Sequence, residues 1–102
     1  MIRHLVFWKL AAVDPDEKAA IVAEMAARFG ALVAVIDGTE RLDVRADLGE
    51  TDGNWDVVLD ADYRDAAALA AYQVHPAHVE VAAFVRSLVT ARACVDFEVE
   101  RA

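Results

Sequence analysis

The sequence contains a single cysteine, Cys94, among its 102 residues. One cysteine excludes an intramolecular disulfide and a thiolate metal cluster, and it fits a reducing compartment. There is no glycine-rich phosphate loop, and no segment approaches the roughly 18 consecutive apolar residues that a membrane span needs. The short, charged run from Met1 to Leu5 also lacks the pattern of a signal peptide. We therefore expect a cytoplasmic globular protein that does not enter a membrane.

Basic residues are scarce as well, because ten lysines and arginines stand against 18 acidic residues, for a formal net charge of −8. Nucleic-acid binding depends largely on lysine and arginine meeting phosphates, so this balance argues against a nucleic-acid partner. It also disfavours anionic membrane surfaces. The hydrophobic fraction of 58% is high for a domain of this length. Self-association is the simplest way to bury the surplus apolar surface.

The spacing of apolar residues predicts one domain over residues 1–102 with the element order β-α-β-β-α-β. Strands are predicted over residues 2–10, 40–48, 55–63 and 93–99. Helices are predicted after the caps Asp14 and Asp65, and Gly30 weakens or ends the first of them. Pro76 divides the second helical region, which extends to about residue 89. This order predicts a ferredoxin-like α+β fold, in which helices cover one face of a four-stranded antiparallel sheet.

The first strand carries bulky apolar residues on both faces, which predicts a central position in the sheet. Its odd-numbered face combines Leu5 and Phe7 with Arg3, and the aspartates of the third strand should pair with the cations on this face. The centre of such a face is too apolar to stay in contact with water. We therefore predict a homodimer in which the sheets of two copies pack face to face.

The most informative segment is Tyr72-Gln73-Val74-His75-Pro76-Ala77-His78-Val79, where two predicted helices meet at a proline. Together with the opening Met1-Ile2-Arg3-His4-Leu5-Val6 strand and the closing Val95-Asp96-Phe97 strand, it resembles the stress-responsive dimeric α/β-barrel (Dabb) family. The resemblance spans essentially the whole chain. It implies the ferredoxin-like fold and a barrel built from two sheets. The family includes plant stress proteins, bacterial members of unknown function, and plant enzymes that cyclise a linear polyketide by aldol condensation.

The resemblance to those cyclases implies active-site roles for Tyr72 and His78, and it places His4 in the same pocket. The cyclases carry a further histidine in the third strand, where this chain has Val57, so one polar pocket group is missing. An apolar site with few polar groups is expected around these residues. The candidate walls are Val6, Trp8, Met25, Phe29, Val57, Leu59 and Phe84.

An aldol cyclisation needs a base and a group that polarises a carbonyl, and His78 and Tyr72 could supply them. The alternative is structural: His75 and His78 satisfy backbone groups at the broken helix, and the Tyr72 hydroxyl anchors that corner. We assign His75 and Pro76 to the structural part. A metal site formed by His4, His75 and His78 is disfavoured because the proline spoils a regular helical pair, so no metal or cofactor is predicted.

Three functions remain open from the sequence. The first is a cofactor-independent enzyme acting on a small apolar or polyketide-like molecule. The second is a non-catalytic stress or ligand-binding dimer. The third is a cofactor-free monooxygenase, a chemistry that similar dimeric barrels host. A cavity lined by Tyr72, His78 and His4 would favour the enzymes, whereas a filled interior with His78 bonded to the backbone would favour the second function.

Overall fold

The computed structural model describes residues 1–100, and within them the chain forms four strands and four helices. The elements are β1 (Ile2–Leu10), α1 (Pro15–Gly30), α2 (Leu32–Val35), β2 (Thr39–Ala46), β3 (Val57–Tyr63), α3 (Ala66–Val74), α4 (Pro76–Arg86) and β4 (Val89–Glu98). This is the predicted β-α-β-β-α-β order, with each helical region divided into two helices. Gly30 ends α1, as its low helix propensity suggested.

The four strands form one antiparallel sheet in the order β2-β3-β1-β4. β1 therefore lies inside the sheet, as its two apolar faces predicted. The register places His4 opposite Ala61 of β3 and opposite Asp96 of β4. The first and last strands of the chain are thus neighbours, and the site residues of β1 face the side chains of β4.

The two predicted helix caps are confirmed by the geometry of the first turns. The Asp14 carboxylate accepts a hydrogen bond from the Glu17 backbone N–H at 2.9 Å, and Pro15 occupies the first turn of α1. The Asp65 carboxylate accepts one from the Ala68 N–H at 2.8 Å. These contacts satisfy N–H groups that have no partner inside the helix, so they set where α1 and α3 begin.

The core lies between the helices and the even-numbered face of β1. Val6 and Trp8 are almost fully buried there, and the Trp8 ring stacks on Phe29 of α1 with 5.8 Å between ring centroids. Met25 is completely buried beside them. Burying a side chain of this size stabilises the fold by roughly 1.5–3 kcal/mol, so this layer holds α1 against the sheet.

The second and third strands are shorter than their alternation predicted. β2 ends at Ala46, and Leu48 beyond it is 88% exposed rather than part of the apolar face. The chain turns here because the Asp47 carboxylate accepts a hydrogen bond from the Gly49 N–H at 2.9 Å, and Gly49 adopts a positive φ of 80° that favours glycine. β3 begins at Val57 instead of residue 55.

The last helix is also shorter than predicted, and the last strand is longer. α4 ends at Arg86 because the Ser87 hydroxyl donates to the Phe84 carbonyl at 2.6 Å and closes the final turn. β4 then begins at Val89 rather than at residue 93. Residues 89–92, which were predicted as the end of the helix and a loop, therefore lie on the strand beside β1 and next to the candidate site.

The outer face of the sheet, which carries no helix, combines ion pairs with an apolar centre. Arg3 donates two hydrogen bonds to the buried Asp62 carboxylate at 2.9 and 3.1 Å, and Arg41 donates a third at 3.1 Å. These bonds, that from Arg3 first, lower the pKa of Asp62. The predicted pairing across neighbouring strands is therefore present.

Among the described residues, no helix is long and apolar enough to cross a membrane.

Candidate functional site

The break between α3 and α4 is built by His75 and Pro76. His75 adopts an extended conformation, with φ −64° and ψ 133°, because a residue before proline avoids the helical region. Its Nδ1 accepts a hydrogen bond from the Ala77 N–H at 3.1 Å and so caps α4. The His75 ring nitrogen is therefore occupied by the backbone, and Pro76 starts the new helix at a position where it needs no N–H partner.

His78 lies one turn further along α4, against the ring of Tyr72, with 4.3 Å between the ring centroids. Its Nδ1 lies 3.1 Å from the Gln73 carbonyl oxygen. A carbonyl can only accept, so Nδ1 carries the hydrogen and the neutral ring has its lone pair on Nε2. Burial lowers the pKa of His78, which favours this neutral form. The backbone contact of the structural alternative is thus present, but it leaves one nitrogen free.

Tyr72 is 1% exposed, and its hydroxyl lies near that of Tyr63 but has no partner at full hydrogen-bond geometry among residues 1–100. The ring packs against Tyr63 at a centroid distance of 4.8 Å as well as against His78. The structural alternative required the Tyr72 hydroxyl to anchor the corner between α3 and α4. No such hydrogen bond is present among the described residues. Burial raises the pKa of Tyr72 to about 12, so the phenol stays protonated and can donate. Leaving such a group unpaired costs roughly 1–3 kcal/mol.

His4 is 4% exposed, and its Nδ1 is hydrogen-bonded to the carboxylate of Asp96, its cross-strand neighbour on β4. The Cys94 sulfur lies 3.5 Å from the same nitrogen. In the described part of the chain, these three side chains form the one group whose donor atoms could together hold a cation. His75 and His78 are not part of this group.

A cavity of about 570 Å³ opens between α4 and the first half of β4, above β1. Its wall is formed by His4, Val6, Trp8, Phe29, Leu59, Tyr72, His78, Ala82, Val85, Arg86, Val89, Thr90, Ala91 and Arg92. The structure thus brings the three candidate catalytic residues to one space, together with four of the predicted apolar walls. Its volume falls within the range of small-molecule pockets.

Three predicted wall residues lie elsewhere. Met25 is completely buried in the core and does not border the cavity. Val57 is 2% exposed and borders a separate depression next to Phe7, outside the cavity. Phe84 packs under Arg28, whose guanidinium carbon lies 3.8 Å from the ring centroid. The helix and strand periodicities identify which residues face inward, but not which inward residues border a space.

Several residues of the site were not identified from the sequence. Asp96 was placed on the last strand, but its contact with His4 depends on the register between β1 and β4. Arg86 and Arg92 line the cavity because α4 ends early and β4 begins early. The strand order could have indicated Asp96, since the first and last strands are neighbours in a ferredoxin-like sheet.

Comparison with known proteins gives a family and a fold. The family model described as Stress Responsive A/B Barrel Domain matches residues 2–99. No curated protein matches the chain. A dimeric protein with a ferredoxin-like fold from Bacteroides fragilis is 26% identical, with a TM-score of 0.83 over 96% of this chain and 95% of that one.

Two further solved structures superpose over nearly the full length. A dimeric ferredoxin-like protein from Thermobifida fusca is 29% identical, with a TM-score of 0.79 over 96% of this chain and 90% of that one. A hydroxynitrile lyase from Passiflora edulis is 13% identical, with a TM-score of 0.78 over 99% and 94% of the two chains. At that identity the lyase shares the fold alone.

Proposed function

The chain belongs to the stress responsive A/B barrel domain family, and from this premise we propose that it is a cofactor-independent enzyme acting on a small apolar carbonyl compound. The favoured reaction is the aldol cyclisation of a polyketide-like chain. The observation that carries the proposal is the free Nε2 of the half-buried His78 at the wall of an apolar cavity, with the ring of the buried Tyr72 packed against the imidazole. Polar groups that are costly to bury persist where a ligand satisfies them.

His78 is the proposed base. The Gln73 carbonyl fixes the tautomer with the lone pair on Nε2, and burial keeps the ring neutral near pH 7. Nε2 would remove a proton from the carbon next to a carbonyl, which leaves an enolate and an imidazolium. The enolate carbon then adds to a second carbonyl of the same molecule, and the new alkoxide takes the proton back from His78.

Tyr72 is the proposed electrophilic partner. Its phenol stays protonated because burial raises its pKa, and the nearby polar group is the neutral hydroxyl of Tyr63. A hydrogen bond from this group to the enolate oxygen would strengthen as negative charge develops there. The apolar walls of the cavity, including Trp8 and Leu59, exclude water and so strengthen that interaction.

His4 is proposed to close the polar end of the cavity. Asp96 holds its Nδ1, which orients the ring and leaves Nε2 as the second nitrogen for a substrate oxygen or a bound water. Asp96 would act through His4, as a positioning residue.

The test is a panel of linear β-polyketo thioesters and diketones, assayed for carbon–carbon bond formation by mass spectrometry. His78→Ala is expected to lower kcat by roughly a hundredfold to ten-thousandfold, the usual contribution of a general base. His75→Asn is the matched control, because it removes an imidazole three residues away and keeps a good helix cap. Equal loss in both variants, or no turnover by the wild type, would contradict the proposal.

The second candidate is a non-catalytic ligand-binding protein, which the His78–Gln73 hydrogen bond favours. A thermal-shift screen with small aromatic and polyketide-like ligands separates the two. Stabilisation by ligands with no product from any of them would support binding without catalysis. Oxygen uptake in the presence of a reduced aromatic substrate would instead support the cofactor-free monooxygenase.

We also propose that two copies of the chain associate through the outer face of the sheet, as the dimeric relatives suggest. Val95 and Phe97 are 55% and 41% exposed on that face, next to the half-buried Leu5 and Phe7. Light scattering should give the mass of two chains for the wild type and of one for Phe97→Asp. Val13→Asp is the control, since Val13 is 87% exposed in the segment between β1 and α1. A monomeric wild type would contradict the dimer.

A further inference from the structure

We propose that the cavity binds an organic anion, with Arg86 and Arg92 at its mouth holding the negative group of the ligand. The inference rests on the proposed function of this cavity and adds the charge of the substrate. The chain has 18 acidic residues, yet none of them forms part of the cavity wall, which contains two arginines. In a protein with a formal net charge of −8, this wall is an electropositive exception.

Among the described residues, neither arginine is engaged by a carboxylate, and the side chain that Arg92 contacts is the Cys94 thiol. Within residues 1–100, neither guanidinium has a carboxylate within ion-pair distance, whereas Arg3, Arg41 and Arg64 are all paired with aspartates. Arginine presents a rigid fork of donors that matches a carboxylate or phosphate. Two unpaired forks at the edge of an apolar cavity therefore favour a ligand with an apolar body and one anionic end.

The strand register places Arg92 on the face of β4 that borders the cavity, directly opposite Trp8 of β1. A negative group held by Arg92 therefore lies next to an apolar, aromatic part of the wall. This arrangement suits a ligand with an aromatic body, such as a two-ring aromatic acid.

Both arginines are positioned by the early end of α4. Arg86 is the last residue of that helix, and the turn closed by Ser87 leads directly into β4. The two guanidinium groups thus come from the two elements that border the mouth of the cavity. Arg86 and Arg92 are exposed, so their replacement should not affect folding.

The experiment compares the binding of three probes of similar shape by calorimetry: 2-naphthoate, the neutral isostere 2-naphthamide and 2-naphthyl phosphate. We expect naphthoate to bind at least tenfold more tightly than naphthamide. Arg86→Met and Arg92→Met should each weaken naphthoate binding roughly tenfold, the size expected for a charge-assisted hydrogen bond. Naphthamide binding should not change, and added salt should weaken only the charged probes.

Arg45→Met is the matched control, because Arg45 is exposed and has no carboxylate partner among the described residues, but it lies outside this cavity. Tighter binding of the phosphate than of naphthoate would support the anion site and assign a phosphate monoester to it. Equal affinities for naphthoate and naphthamide, an unchanged affinity in the double variant, or no binding of either charged probe would overturn the inference.

The outcome is separable from that of the proposed function. Tyr72→Phe and His78→Ala should leave the ratio of naphthoate to naphthamide affinity unchanged. A ratio near one with Tyr72-dependent turnover would refute the anion site alone. A high ratio without turnover from any substrate would refute the enzyme and keep the anion site.

Discussion

The polar groups on the two faces of the sheet differ in whether they have partners within the protein. On the outer face, the buried Asp62 carboxylate accepts three hydrogen bonds from Arg3 and Arg41. On the helix face, the buried Tyr72 hydroxyl has no partner at full hydrogen-bond geometry among residues 1–100, and no carboxylate lines the cavity beside Arg86 and Arg92. A satisfied polar group contributes to stability, whereas an unsatisfied one costs free energy unless a ligand completes it.

The same contrast separates two histidines only three residues apart. His75 uses Nδ1 as an acceptor to cap α4, which is a structural task. His78 uses Nδ1 as a donor to the Gln73 carbonyl, and this keeps its other nitrogen unprotonated toward a ligand. Both residues are histidines within two positions of Pro76, so the sequence alone does not distinguish them. The direction of the hydrogen bond at Nδ1 does.

The largest expected effect is on catalysis at the unpaired group. Tyr72→Phe should lower kcat by about a hundredfold, because it removes a donor to the developing enolate oxygen. The same change should leave the free energy of unfolding unchanged or raise it by about 1 kcal/mol, because it removes an unsatisfied buried hydroxyl. Steady-state kinetics and urea unfolding measure the two quantities.

A clear loss of stability in Tyr72→Phe would contradict this contrast, since it would mean that the hydroxyl is satisfied in the folded protein. Tyr63→Phe is the comparison, because that hydroxyl is buried near the Tyr72 hydroxyl, but Tyr63 does not border the cavity. It should have a similar effect on stability and a smaller effect on kcat than Tyr72→Phe.

On the outer face the expected effect is on stability. Asp62→Ala should lower the free energy of unfolding by about 2 kcal/mol, because it removes an acceptor of three charge-assisted hydrogen bonds. Asp43→Ala removes a more exposed partner of Arg41 and should cost less than about 1 kcal/mol. Urea unfolding measures both, and an Asp62 variant as stable as the Asp43 variant would show that the outer pairs contribute little.

The smallest expected effect is a shift of the acid limb of the kcat/KM pH profile to lower pH. The base must be neutral, and burial lowers the pKa of His78, so activity should persist below the ordinary histidine pKa of about 6.5. It should be lost as the pH falls through the lowered value. The free energy of unfolding should also decrease as the pH falls below about 6.5, because the unfolded chain binds the proton more readily than the folded one. An acid limb at or above pH 6.5 would contradict the burial of the ring.

Much of the fold could be predicted from the sequence because local signals agree with one another. The caps Asp14 and Asp65, the break at Pro76 and the two-faced apolar pattern of β1 all depend on residues near in sequence. Strand ends were predicted less well, because the turn after β2 depends on a single contact between Asp47 and Gly49. The alternating pattern continues through Leu48, although the strand does not.

The candidate site could be predicted only in part, because a cavity is a property of distant elements. Tyr72, His78 and His4 followed from a family resemblance, and they do border one space. Arg92 was missed because the last strand begins four residues earlier than its alternation suggested. Asp96 depends on the pairing of the two ends of the chain, which no local pattern specifies.

The proposed chemistry depends on a neutral His78 that presents an unprotonated Nε2 to the cavity, and nitrogen-detected NMR of the labelled histidine side chains measures this state. We expect the Nδ1–H tautomer for His78 at pH 7 and a pKa below the ordinary value of about 6.5. Tyr72→Phe should not change the tautomer, because the Gln73 carbonyl fixes it. An Nε2–H tautomer, or a pKa at or above the ordinary value, would show that His78 is not the base.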